Sequence, residues 1–377
     1  MNLKLSEEQE MLRTMARDFL TNKYPKTTVK EILADEKGYS PELWKEMAEL
    51  GWQGLVIPDK YGGNGMTFQD LSILLEEMGR VCLPAPFFAT VLLGAYPITD
   101  AGTEEQKQEY LPKIASGKAI FTLALNEADA QYKATSIAVR AVADKDDYVI
   151  SGTKLFVPSA NVADYMLCVT RTGNKANPED GITIFIVDAK SSGIKVNVLK
   201  TIDNEKLCEV VFENVKVPKQ NILGKLDEGW NEVKKIIERA VIAKCCDMVG
   251  SLQQALDMTV QYAKDRKQFD QPIGKFQIIQ HYCTYMATDV EGLRFVTNQA
   301  VWLESEGFPC TKEASIAKAW AGEASDRVMA LAHQIHGAIG VTIDHDLQYY
   351  TKRIKAAAPT FGDGDFHKEI VAQQMGL

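Results

Sequence analysis

Apolar residues recur at helical spacing at both ends of the chain and at alternate positions through its middle, which predicts helices on either side of a β-rich centre. Ser6 with Gln9 forms a capping-box pattern ahead of Met11, Leu12, Met15, Ala16 and Leu20, one stripe of a first helix. Ser40-Pro41 opens a second, bearing Leu43, Met47 and Leu50, with proline at the first helical position. Residues 58–65, Pro-Asp-Lys-Tyr-Gly-Gly-Asn-Gly, read as a loop. Helical spacing resumes over 68–79 and 104–115. Near Lys118 the texture changes. Short β-branched or alternating runs at 119–125, 136–142, 148–151, 165–170, 182–187, 194–198 and 209–212 are punctuated by Gly, Asp, Asn and Pro. They predict a small antiparallel barrel or sandwich. Helical spacing returns near Asp227 and persists through 252–264, 278–305 and 312–331, lengths that suit a four-helix bundle. The expected organisation is a helical domain over 1–117, a β domain over 118–226 and a helical bundle over 227–377.

Composition narrows the function more than the fold. A formal charge of −9 leaves no basic stripe for phosphates, so nucleic-acid binding is not expected. No apolar run is long enough to span a bilayer, and the amino terminus (Met-Asn-Leu-Lys-Leu-Ser-Glu-Glu) lacks an apolar signal core, so a cytoplasmic protein is expected. The seven cysteines are scattered without a Cys-x-x-Cys pair and read as reduced thiols. His333 and His336, three apart, have no third ligand nearby in sequence, and no metal is expected.

Several strings carry chemistry. Leu55 to Gly63 (Leu-Val-Ile-Pro-Asp-Lys-Tyr-Gly-Gly) is followed by Gly102-Thr103-Glu104-Glu105-Gln106-Lys107 and Tyr110-Leu111-Pro112. Gly152 to Pro158 (Gly-Thr-Lys-Leu-Phe-Val-Pro) comes next, then Tyr262 to Phe269 (Tyr-Ala-Lys-Asp-Arg-Lys-Gln-Phe) with Pro272-Ile273 and Phe276-Gln277, and finally Gln334-Ile335-His336-Gly337. In this order they resemble the acyl-CoA dehydrogenase family along nearly the whole chain. The resemblance implies bound FAD, an acyl-CoA substrate, electron-transferring flavoprotein as acceptor, and a homotetramer or related heteromer. Arg266, Gln268, Phe269, Gln277, Gln334 and Gly337 match positions on the nucleotide part of FAD, and a guanidinium fork suits a pyrophosphate. Read on its own, Arg266 is also an ordinary helix charge near Asp265 and Asp270, and His336 a packing or capping residue. Leu125, Asn126, Phe156, Val157 and Ser159 match the flavin-ring segment, with Asn126 where Thr is frequent and Phe156 where Trp is common. Tyr132 falls where a small residue helps hold the coenzyme A arm, and Lys133 beside it reads as a surface lysine.

Dehydrogenation of an acyl thioester needs a base for the α-proton while a β-hydride leaves for the flavin. The base of many relatives is the Glu of a Tyr-Glu-Gly string, and the corresponding stretch here places Phe361 before Gly362. Other relatives carry it on the first bundle helix, where this chain has Glu238-Arg239. Glu238 is therefore the first candidate, and a helix salt bridge to Lys234 or Lys235 is its alternative explanation. Asp363, Asp365 and Asp247 are the remaining candidate bases; Asp363 and Asp365 also count among expected cofactor contacts or as turn residues bonding local backbone. Thr90 within the uncharged stretch 86–94, Tyr132, Arg239, Phe361 and Gly362 are the expected substrate contacts. An uncharged pocket with a helix-borne base favours a branched or alicyclic acyl group over a dicarboxylyl one. Two other functions fit the same resemblance: an oxidase or non-oxidative relative, and a non-catalytic subunit completing FAD sites for a partner chain.

Overall fold

A computed structural model describes residues 4–377; Met1, Asn2 and Leu3, where the amino-terminal reading begins, lie outside the described residues. The chain runs through α1 (Glu7–Lys23), α2 (Lys26–Ala34), α3 (Pro41–Glu49), α4 (Phe68–Val81), α5 (Phe87–Thr90), a π turn (Val91–Ala95), α6 (Tyr96–Ala101) and α7 (Glu104–Ala115). Eight strands follow: β1 (Phe121–Ala124), β2 (Arg140–Asp144), β3 (Asp147–Pro158), β4 (Tyr165–Arg171), β5 (Ile182–Asp188), β6 (Ile194–Val198), β7 (Leu207–Pro218) and β8 (Ile222–Leu223). The last part comprises α8 (Trp230–Asp265), the short hairpin β9 (Lys267–Gln268) and β10 (Gln271–Pro272), α9 (Gln277–Ser305), α10 (Thr311–His336), α11 (Leu347–Ala357) and α12 (Gly364–Gln374). Helices, sheet and helices in that order match the expected fold class.

Local chemistry starts the helices. Ser6 and Gln9 close a reciprocal capping box, Gln9 N donating to Ser6 Oγ at 3.2 Å and Ser6 N to Gln9 Oε1 at 3.1 Å. Thr103 and Gln106 repeat the device ahead of α7, and the Ser40 hydroxyl caps α3. Among the described residues no helix is long and apolar enough to cross a membrane.

The chain forms two compact units. One contains the residues up to Lys30, Phe68–Leu83 and Val241–Leu377. Its core is built by Met248, Leu252 and Leu256 of α8, Met286, Val290 and Leu293 of α9, Ala317, Ala321 and Val328 of α10, and Leu347, Tyr350 and Ile354 of α11. Each helix supplies these residues at intervals of three, four or seven, the spacing that gives it one apolar face.

The other unit, Glu31–Thr67 and Pro84–Ala240, contains the sheet. The strand order is β6-β7-β3-β2-β4-β5-β8, with β1 beside β4. The antiparallel expectation needs one correction, because β1–β4 and β2–β4 are parallel and the sheet is mixed. Alternation along the sequence marks a strand and its inward face but does not name its neighbour. Only the tight β2–β3 hairpin was fixed locally, at Asp144-Lys145-Asp146-Asp147, with Lys145 at φ +58°.

Candidate active site

Where β1 ends, the chain emerges as Leu125-Asn126-Glu127, and two buried charges hold it there. Lys154 of β3 has no exposed surface. Its Nζ donates to Leu125 O at 2.9 Å and to Glu127 Oε1 at 2.7 Å. The Glu127 carboxylate also accepts from Ala138 N and Val139 N, at 3.0 to 3.2 Å. Burial pushes the Lys154 ammonium below its ordinary pKa, opposed by nearby Cys168 and by Glu127. The nearby Cys168 thiol is pushed up to about 12 by burial, so it is an inert thiol at neutral pH.

Two features at this strand end depart from ordinary structure. The register of β3 against β7 shifts between Lys154 and Val157, so both of those side chains point inward and Phe156 is thrown out. Phe156 pays for this with φ +55°, and its ring is 45% exposed. A bulky residue in the left-handed region marks strain, and such strain collects where a ligand is bound. Asn126 lies next to it: Leu155 N donates to Asn126 O at 2.8 Å, and Asn126 Nδ2 donates to Tyr132 Oη at 3.2 Å. Asn126 Oδ1 is buried without a hydrogen-bond partner among the described residues. An exposed ring beside an unsatisfied amide oxygen fits a flat heteroaromatic ring that carries an N–H donor at its edge. Leu125 and Val157 are buried beneath, and Ser159, at φ +53°, is tied by its N–H to Lys206 O at 2.7 Å. Lys133 is exposed.

Glu238 and Arg239 lie in the first turns of α8, both half-buried. The Arg239 guanidinium donates to Asp100 Oδ2 at 2.7 Å and stacks 4.1 Å over the Tyr96 ring, which fastens this part of α8 to α6. Arg239, expected at the substrate, is thus engaged by Asp100 and Tyr96 in this structure. Lys234 pairs with Glu179 at 2.8 Å and Lys235 with Glu232 at 3.1 Å. Thr90 has no exposed surface; its hydroxyl accepts from Phe121 N at 3.3 Å and meets Phe121 O at 3.4 Å. That places Thr90 in the core rather than on a surface a ligand touches. The π turn that follows it, over Val91–Ala95, is a rare distortion frequent near functional sites. Sequence periodicity reads the same stretch as plain helix.

In the other unit, β9 and β10 close on Phe269 and Asp270, at φ +51° and +60°. A two-residue turn with both centres left-handed ordinarily takes Asn-Gly. Here it displays a phenylalanine that is 86% exposed, next to exposed Arg266 and Gln268. Among the described residues the Arg266 side chain is exposed and makes no ion pair, which suits a solvated charge as well as a cation left available to a ligand. Gln277 is exposed at the start of α9 and Gln334 near the end of α10. Gly337, at φ +64°, leaves open space where a side chain would project. His336 packs on the Tyr262 ring at 4.5 Å and bonds to Ala332 O at 2.8 Å.

The other candidate bases have structural employment. Asp363 caps α12 by accepting from Phe366 N at 2.9 Å, and Asp365 pairs with Lys368 at 3.3 Å. Asp247 is buried against Arg353 at 2.7 Å and Lys244 at 3.6 Å, and these cations outweigh burial to hold its carboxyl below the usual range. Phe361 and Gly362 are buried in the turn between α11 and α12, at φ +61° and +101°.

Helices, one mixed sheet and a helical bundle in that order are the architecture of a group of flavin-dependent oxidoreductases. Residues 6–118 match the N-terminal domain of acyl-CoA dehydrogenase, 122–215 its middle domain and 227–376 its C-terminal domain. The chain belongs to the acyl-CoA dehydrogenase family. It is 32% identical to the probable acyl-CoA dehydrogenase YngJ of Bacillus subtilis over 100% of both chains. It is 33% identical to the caffeyl-CoA reductase-Etf complex subunit CarC of Acetobacterium woodii over 91% of both. Among solved structures, butyryl-CoA dehydrogenase of Megasphaera elsdenii superposes with a TM-score of 0.94 at 28% identity over 100% of both chains.

Proposed function

We propose that the chain is an acyl-CoA dehydrogenase that binds FAD and acts on branched or alicyclic acyl thioesters, with Glu238 as the base. The observation that carries the flavin reading is the pairing of the strained, exposed Phe156 ring with the unsatisfied Asn126 Oδ1. Leu125, Asn126, Phe156, Val157 and Ser159 would hold the ring, and Arg266, Gln268, Phe269, Gln277, Gln334 and Gly337 the nucleotide of a neighbouring subunit's cofactor in a homotetramer. When bound, FAD supplies the acceptor for the hydride that leaves the β-carbon. The protein's own part is to take the α-proton on the Glu238 carboxylate and to keep water from the reacting carbons. Phe361, standing where many relatives have the carboxylate, offers the acyl group an apolar ring instead. The electron acceptor is electron-transferring flavoprotein, a reading supported by the name of the Acetobacterium relative.

Anaerobic titration of the purified yellow protein with straight, branched and cyclic acyl-CoAs tests this. Bleaching of the flavin band by a branched or cyclic thioester is the expected result. A flavin that no acyl-CoA bleaches points to a non-oxidative relative, and a colourless protein to a subunit that serves a partner's cofactor.

A further inference from the structure

Lys318 on α10 is a second lysine with no exposed surface, and the chemistry above does not use it. Its Nζ donates to Ala358 O at 2.5 Å and to Gly362 O at 2.8 Å, the two ends of the turn between α11 and α12. The carbonyl of Phe361, between them, is held by His367 of α12, whose Nε2 lies 3.0 Å away. A carbonyl only accepts, so Nε2 carries the proton. His367 Nδ1 then accepts from the Ser315 hydroxyl at 3.2 Å, one turn before Lys318 on α10. Burial pushes the His367 pKa down to about 4, so the ring is neutral at pH 7 and this tautomer stands. Cys245 and Lys244 of α8 and Asp363 of the turn are the other titratable groups that bear on Lys318.

A buried ammonium is expensive unless its protons are all usefully placed. Here it grips a backbone that would otherwise relax, because Phe361 sits at φ +61° and Gly362 at +101°, where a Cβ would meet the Phe366 ring at 2.3 Å. A phenylalanine persists in that conformation only where its surroundings over-determine it. Three carbonyls within five residues, bound by two side chains that reach in from α10 and α12, supply that determination.

We infer that Lys318 and His367 are positioning residues that fix the Phe361 ring and thereby set which acyl groups the enzyme accepts. The inference rests on the proposed reading of Phe361 as a wall of the acyl site.

The test is a double-mutant cycle on the full-length, flavin-loaded protein. Kinetics with a straight and a branched acyl-CoA of equal carbon number are measured for F361G, K318M and the double variant. Glycine tolerates the left-handed turn, so F361G removes the ring and keeps the backbone. F361G and K318M should each change the branched-to-straight ratio of kcat/KM by about tenfold or more, the scale on which an apolar pocket discriminates one methylene. The double variant should match F361G alone, since Lys318 acts through the ring. In histidine-labelled protein the His367 titration midpoint should rise in K318M, because the Lys318 charge helps to depress it. If K318M does not fold, H367L, which removes the donor to the Phe361 carbonyl and no charge at neutral pH, carries the same comparison. Wild-type selectivity in K318M, or effects that simply multiply in the double variant, would overturn the inference. An unchanged ratio in F361G removes the acyl-wall reading and the inference with it; failure of K318M alone removes only the inference.

Discussion

Lys154 Nζ lies 2.7 Å from Glu127 Oε1, with the lysine wholly enclosed and its second bond made to Leu125 O. The pair locks the three residues that leave β1, Asn126 among them. Removing one member strands the other as a buried charge, which typically costs about 3–5 kcal/mol. K154M should therefore lower the denaturant midpoint strongly, whereas E127Q/K154M should recover part of the loss. Equal destabilisation in the single and double variants would show that the charges are not coupled.

Phe156 exchanges stability for a ring in the right place. Because glycine accepts φ +55° without strain, F156G should raise the unfolding midpoint of the flavin-free protein while weakening flavin retention. A stacked aromatic is worth roughly 0.5–1.5 kcal/mol beyond its area, so F156A should release flavin about three- to tenfold more readily, and F156Y should not. Dialysis followed by flavin fluorescence reads all three. Undiminished flavin binding in F156A would leave the strain of the bulge without a function.

His367 gives stability a definite dependence on acidity. Burial depresses its pKa from 6.5 to about 4, so between those values the unfolded chain binds a proton that the folded chain does not. Its stabilising contribution is full above about pH 6.5 and is lost as pH falls toward 4, with a span on the order of 3 kcal/mol. Thermal unfolding of the wild type should drop across this window, and H367Q should show a shallower drop. An identical acid slope in the two proteins would exclude His367 as a source.

Much of this was legible in the sequence, and the failures share a cause. Capping at Ser6 and Ser40, seven strand positions and the long bundle helices all follow from local patterns. Strand partners do not, which is why the parallel β1–β4 pairing was missed. Arg239 shows the same limit: nothing in the local sequence points to its ion pair with Asp100, 139 positions away. Lys154 and Lys318 look like any surface lysine in a string of letters, because only the folded chain reveals the carbonyls that surround them. Strain at Phe156, Phe269 and Phe361 was likewise invisible, though each is an aromatic where a turn or bulge would sooner take glycine or asparagine. Those three positions were singled out through the family resemblance and not through residue pattern.

The central claim is that Glu238 removes the α-proton, and the most direct measurement is rapid anaerobic mixing of E238Q with the acyl-CoA that best bleaches the wild type. The amide keeps the side chain's shape and removes its basicity. Flavin reduction should slow by about a thousandfold, the middle of the range for loss of a general base, while affinity for the enoyl-CoA product stays within a few-fold. Reduction at close to the wild-type rate would contradict the account and move the search for the base elsewhere.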